Sequence, residues 1–105
     1  MKIQATGVQM IDADTLMFAA KACEIPSSEI AQWDPISDDD ASRTLEEYLQ
    51  LITEIRPEAA GAFVWRIGSG VDVRVWARIS EAGSMDGAVR LARVRAAAEI
   101  GKVMP

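Results

Sequence analysis

Read for the spacing of its apolar positions, the chain divides into three helical stretches and one strand pair. Leu16, Ala19, Ala20 and Cys23 recur at the helical period while Lys21 and Glu24 fall outside that stripe, which predicts a helix over about 13–24, capped by Asp12 or Asp14. The break at Ile25, Pro26 and Ser27 leads into one short turn, capped by Ser28 and ending near Trp33, before Asp34 and Pro35 interrupt again. Ala41, Leu45, Tyr48, Leu49, Ile52 and Ile55 then share one helical side opposite Arg43, Glu46, Glu47, Gln50 and Glu54. This predicts a second helix over about 38–56, with Ser37 and Asp40 spaced as a capping box and Pro57 as its stop.

From Ala62 the period changes to two. Phe63, Trp65 and Ile67 alternate along one run, and Val71, Val73, Val75, Ala77 and Ile79 along the next, with Gly68, Ser69 and Gly70 between them. The expectation is a hairpin over 62–79. A three-residue loop sets Ile67 opposite Val71, Trp65 opposite Val73 and Phe63 opposite Val75, making one uniformly apolar face. The other side then carries Arg66, Asp72, Arg74, Trp76 and Arg78, with Arg66 facing Asp72. Ser84 caps a last helix over about 85–102. Met85, Val89, Ala92, Ala96, Ile100 and Val103 form its broad stripe, and Leu91, Val94 and Ala98 a second strip, so this helix is expected to bury two sides. Residues 1–11 alternate only weakly and read as an extended arm. Together these elements predict an α+β fold in which a small antiparallel sheet, built on the central hairpin, packs with three main helices.

Composition adds bounds to this pattern. With 105 residues, half of them hydrophobic and 26% charged, the chain suits one domain spanning 1–105. No run approaches the roughly 20 apolar residues a bilayer span needs, and Met1 to Met10 lack the pattern of a secretory leader, so a cytosolic, non-membrane location is expected. Cys23 is the only cysteine and there is no histidine. That removes an intrachain disulfide, Ser-His-Asp and Cys-His nucleophiles, imidazole acid/base work and nearly all zinc sites. The expectation is a protein that is not an enzyme and uses no cofactor.

Charge is unevenly distributed. Residues 1–60 carry four basic and twelve acidic side chains, a balance of -8, and residues 61–105 carry seven basic and four acidic, a balance of +3; together they make the net -5. Either the two parts pair with each other in the fold, or an acidic surface meets a basic partner. Asp34, Asp38, Asp39, Asp40, Glu46, Glu47 and Glu54 are the candidates for that surface, which would occupy a basic groove by resembling nucleic-acid phosphates. The Asp38–Asp40 run lacks the alternating oxygen ligands and glycine of a calcium loop and reads as a helix cap instead, so no metal is expected. Arg66, Arg74, Trp76 and Arg78 are an alternative surface able to stack on bases, although the negative net charge weighs against direct nucleic-acid binding. Leu91, Val94 and Ala98 are the candidate self-interface of a homodimer. Trp33 with Pro35 reads either as a recognition loop or as an anchor onto the core.

Three segments in order carry a family resemblance: Leu16 to Ala22, Trp33 to Ala41 (Trp-Asp-Pro-Ile-Ser-Asp-Asp-Asp-Ala) and Val94 to Gly101 (Val-Arg-Ala-Ala-Ala-Glu-Ile-Gly). The chain resembles small accessory proteins of tailed phages and prophages, which show an aromatic-Asn/Asp-Pro-aliphatic-x-Asp-Asp pattern after an Ala-rich helix and an Arg-Ala-Ala-Ala-Glu-Ile-Gly ending. It departs from them at Asp40, Ala41, Ser42 and Arg43, where the family has a Gly-Asp-Ala-Leu run. The resemblance implies an α-β-α sandwich-like fold and a phage product acting in the host cytoplasm. The expected function is binding of a host or phage macromolecule, with interference with a host factor or defence complex as its specific form and phage assembly by self-association as the alternative.

Overall fold

The computed structural model of the protein describes residues 12–68 and 70–105; the arm expected over 1–11 and the loop residue Ser69 lie outside them. Helix α1 spans Ala13–Ala22, and Asp12 caps it by accepting a 2.7 Å hydrogen bond from the Thr15 N–H. A 3-10 turn, Ser27–Gln32, follows with Pro26 in place of a side-chain cap, so Ser28 is not a capping residue. Helix α2 spans Asp39–Leu49 and is capped by Asp38, whose Oδ1 accepts from the Asp40 N–H at 2.9 Å. Ser37 does not cap it: its own N–H donates to Asp34 Oδ1 at 3.1 Å.

The second helix is shorter than its periodicity predicts. It ends where Gln50 turns left-handed (φ 56°), and Ile52–Arg56 then forms strand β1. Ile52 and Ile55 match the helical stripe only by coincidence of spacing. A β-branched run Ile-Thr followed by Ile suits a pleated strand better, and pairing with a neighbouring strand overrides the weak helical preference. Pro57 opens a 3-10 turn, Pro57–Ala59, that leads into strand β2, Gly61–Arg66, which pairs with strand β3, Val73–Arg78. The sheet is antiparallel in the order β1-β2-β3.

Its register differs by one residue from the one that would make Phe63, Trp65 and Ile67 an inner face. Val64 lies opposite Val75 and Ala62 opposite Ala77, so Phe63 pairs with Trp76 and Trp65 with Arg74. Such a slip reverses which side chains point inward. Ala62, Val64 and Ala77 have no exposed surface and Val73 almost none. The reason lies in what they pack on. The last helix, α4 (Met85–Lys102), presents Ala88, Ala92 and Ala96, each with no exposed surface, and small residues on both sides let helix and sheet approach closely. At the turn, Asp72 Oδ1 accepts from the Gly68 N–H at 2.9 Å, while Gly68 and Gly70 take positive φ of 91° and 88° that suit glycine.

A short helix α3, Ile79–Ala82, links β3 to α4, whose cap Ser84 accepts from the Gly87 N–H at 2.9 Å as expected. Helix α4 packs against α1, against α2 and against all three strands. Both of its predicted apolar sides are consumed in this way, since Val89 and Ile100 belong to the same core as Leu91, Val94 and Ala98; Val103, expected on the broad stripe, lies just past the helix end and is exposed. The α+β class follows, with sheet and helices meeting on α4.

Candidate functional site

Alternation along the strands sorts their side chains into two faces. The inner one meets α4. On the outer one, cross-strand pairing makes three rows: Ile52, Trp65 and Arg74; Glu54, Phe63 and Trp76; Arg56, Gly61 and Arg78. No side chain of these rows is buried, and no helix packs over them among the described residues. Ile52 is 49% exposed, and Ile67, just past the end of β2, is 62% exposed. Phe63 and Trp65 stack with ring centroids 5.4 Å apart. With Ile67 and Arg74 they line a shallow depression of about 210 Å³. The Trp76 ring lies over Gly61, where a Cβ would stand 2.7 Å from a ring carbon and 2.4 Å from the Ala77 carbonyl oxygen, so the glycine is what lets the indole lie flat.

The charges on this face are few. Glu54 and Arg56, two residues apart on β1, form a 2.8 Å ion pair. Among the described residues Arg74 and Arg78 form no salt bridge, and the carboxylate near Arg78, that of Glu81, is bonded to Arg95 at 2.8 Å. Three arginines against one glutamate leave the face at +2 within a molecule of net charge -5.

The acidic candidates have mostly internal duties. Asp39 pairs with Arg90 at 2.6 Å, Asp40 with Arg43 at 3.0 Å, Glu46 with Arg93 at 3.2 Å, and Glu54 with Arg56. Asp34 and Asp38 hold backbone N–H groups without a salt bridge, and Glu47 alone of the set has neither a salt bridge nor a side-chain hydrogen bond among the described residues. Asp39–Arg90 and Glu46–Arg93 join the acidic first part of the chain to the basic second part, so the charge asymmetry is in part an internal pairing.

Two other candidate sets change place. Arg66 is not on the outer face: it points with Ala62 and Val64 and donates to the Leu49 carbonyl at 3.1 Å and to the Val71 carbonyl at 3.4 Å, closing the end of the sheet. Leu91, Val94 and Ala98, at 3%, 0% and 2% exposure, are core of the single chain and have no surface left to offer a second copy. Arg74, Trp76 and Arg78 do share a face, and the structure adds Ile52, Phe63, Trp65 and Ile67 to it. The available signal for those four was the small size of Ala62 and Val64 beside an Ala-rich helix, which marks the closely packed side of β2. Trp33 is half-buried and packs against the core. Cys23 is half-buried in apolar surroundings that push its thiol up to about 12, which leaves almost no thiolate near neutrality.

No family model, curated protein or solved structure matches this chain. Among the described residues no helix is long and apolar enough to cross a membrane.

Proposed function

We propose that the chain is a phage accessory domain that acts by binding a host or phage protein rather than by catalysis, and that its outer sheet face makes the contact. The observation behind this reading is the group Ile52, Phe63, Trp65 and Ile67, apolar side chains on a face that no helix among the described residues covers. Contiguous exposed apolar surface containing aromatic residues and arginine is the composition of interface centres. The acidic surface has less behind it, because four of its carboxylates already hold arginines of the same molecule.

The test compares capture of partners from host lysate by two variants that leave the core untouched. Ile52→Asp with Trp65→Ala should abolish capture. Asp40→Lys with Glu47→Lys should retain it. The opposite pattern would transfer the proposal to the acidic surface, and equal capture by both variants would remove the sheet face from consideration.

A further inference from the structure

Resting on that reading, we infer that the outer sheet face receives an amphipathic helix of a partner protein whose apolar stripe is flanked by carboxylates. The footprint is the first argument. Three strands at about 4.8 Å spacing and three rows about 7 Å apart make a platform roughly 10 Å by 14 Å, and a helix with its side chains is about 10 Å across. A sheet face of this width is covered by one helix in layered folds, as α4 covers the inner face of this one.

Charge complementarity is the second argument. Across the platform the apolar side chains Ile52, Trp65, Phe63 and Trp76 occupy two adjoining rows, while Arg74 ends the first row and Arg56 and Arg78 fill the third. A ligand covering the centre therefore brings its flanks over guanidinium groups, and among the described residues Arg74 and Arg78 form no salt bridge that must be released first. A planar guanidinium grips carboxylate with two parallel N–H donors, which rewards an acidic flank and rejects a basic one. The same aromatic and cationic groups could hold single-stranded nucleic acid, but three features favour polypeptide. Glu54 sits in the row of Phe63 and Trp76, where a phosphate chain would pass it. Ile52 and Ile67 add aliphatic surface that base stacking does not use, and the net charge of -5 repels a polyanion.

The experiment selects binders from a library of helical peptides of about 18 residues, roughly 27 Å long, against the intact immobilised chain, and measures winners by fluorescence anisotropy. Oligothymidylate serves as the nucleic-acid probe and light scattering reports self-association. Selected peptides are expected to carry Leu, Ile or Phe at i, i+3 and i+4 spacing flanked by Asp or Glu. Arg74→Glu with Arg78→Glu should weaken them by at least about tenfold and should turn a repeated selection toward Lys and Arg, a gain that an unfolded variant could not produce. Trp65→Ala should abolish binding in both backgrounds. Peptides that need Trp65 but show no charge preference would overturn this inference and leave the sheet-face reading intact. Winners that ignore Trp65, or no winners, would overturn both. Trp65-dependent oligothymidylate binding tighter than any peptide, or a dimer that Trp65→Ala dissolves, would assign the face to nucleic acid or to a second copy instead.

Discussion

The carbonyl of Phe18, on α1, fills the space that a side chain at position 101 of α4 would need: a Cβ on Gly101 would stand 1.9 Å from that oxygen. The two helices cross there with backbone against backbone. Gly101→Ala gains about 1 kcal/mol of helix propensity but forces the helices apart, and overpacking of this kind costs typically 1–3 kcal/mol, occasionally more. Because the obstacle is a main-chain atom that cannot rotate away, the overlap dominates. The expected result is a net loss of about 1–2 kcal/mol, seen as a melting temperature lower by several degrees in a calorimetric scan.

Arg93 ties three elements together, and its removal should cost more than that of any exposed arginine. Its guanidinium meets Glu46 at 3.2 Å, Ser42 Oγ at 3.0 Å and Thr53 Oγ1 at 3.1 Å, so α4 grips α2 and β1 through one side chain. Ser42 has no exposed surface and would lose the partner that satisfies its hydroxyl oxygen. Arg93→Ala is expected to destabilise by about 2–4 kcal/mol, since it strands a partly buried carboxylate and a buried hydroxyl. Arg93→Lys should recover less than half, because the three donors of an ammonium radiate from a single nitrogen and cannot span the acceptors that Nε, Nη1 and Nη2 of the planar guanidinium reach. Arg43→Ala, whose pair with Asp40 is solvent-exposed, should lie within about 0.5 kcal/mol of the parent. Urea titration of the three variants checks the order.

The strand register makes a contrast that side-chain chemistry alone would not. Val64→Ala removes two methyl groups from a site with no exposed surface and should cost about 1–3 kcal/mol. Ile67→Lys places a charge on the apolar run of the same strand pair, yet should change stability by less than about 0.5 kcal/mol because Ile67 already faces water. Equal damage from both substitutions would mean that Phe63, Trp65 and Ile67 point inward.

Acid should weaken the fold through Glu81. Hydrogen bonds from Arg95, then from the Arg78 N–H, hold its carboxyl well below the usual carboxylate range, at about 2 against 4.5 unperturbed. A folded-state value below the unfolded one stabilises at pH above the unfolded value and loses that stabilisation as pH falls through the folded one. The loss should run from about pH 5 to about pH 2. Because the pair is about one-third exposed, solvent screening limits it to roughly 1 kcal/mol. Glu81→Gln should flatten the stability profile over that interval, as measured by thermal melts at successive pH values.

Much of this fold can be read in the residues because several local signals agree. Asp12 and Ser84 cap helices where their side chains allow it, and α4 keeps the length and the two buried sides that its apolar pattern prescribes. The signals fail where two periods overlap. Ile52 and Ile55 sit three apart and continue the stripe of Leu45 and Leu49, and only pairing with β2 reveals them as strand. Along β2 both faces are apolar, so alternation finds the strand without saying which face is inside; the volume of the side chains decides it, with alanine and valine against the helix and aromatics outside. That single inversion hid the open face, since it assigned its aromatic centre to the core. The acidic candidates were legible as residues, but their pairing with Arg90 and Arg93, some fifty positions away, depends on tertiary contact.

The placement of α4 between its neighbours separates what keeps this molecule folded from what it can display. Alanines and valines on the concealed side of the sheet are constrained by a helix that has no spare room, whereas positions 52, 63, 65, 67, 74 and 78 can exchange shape and charge at little cost to the scaffold. Under the proposed binding role, a handful of substitutions on that face would change the partner while the interior stays as it is.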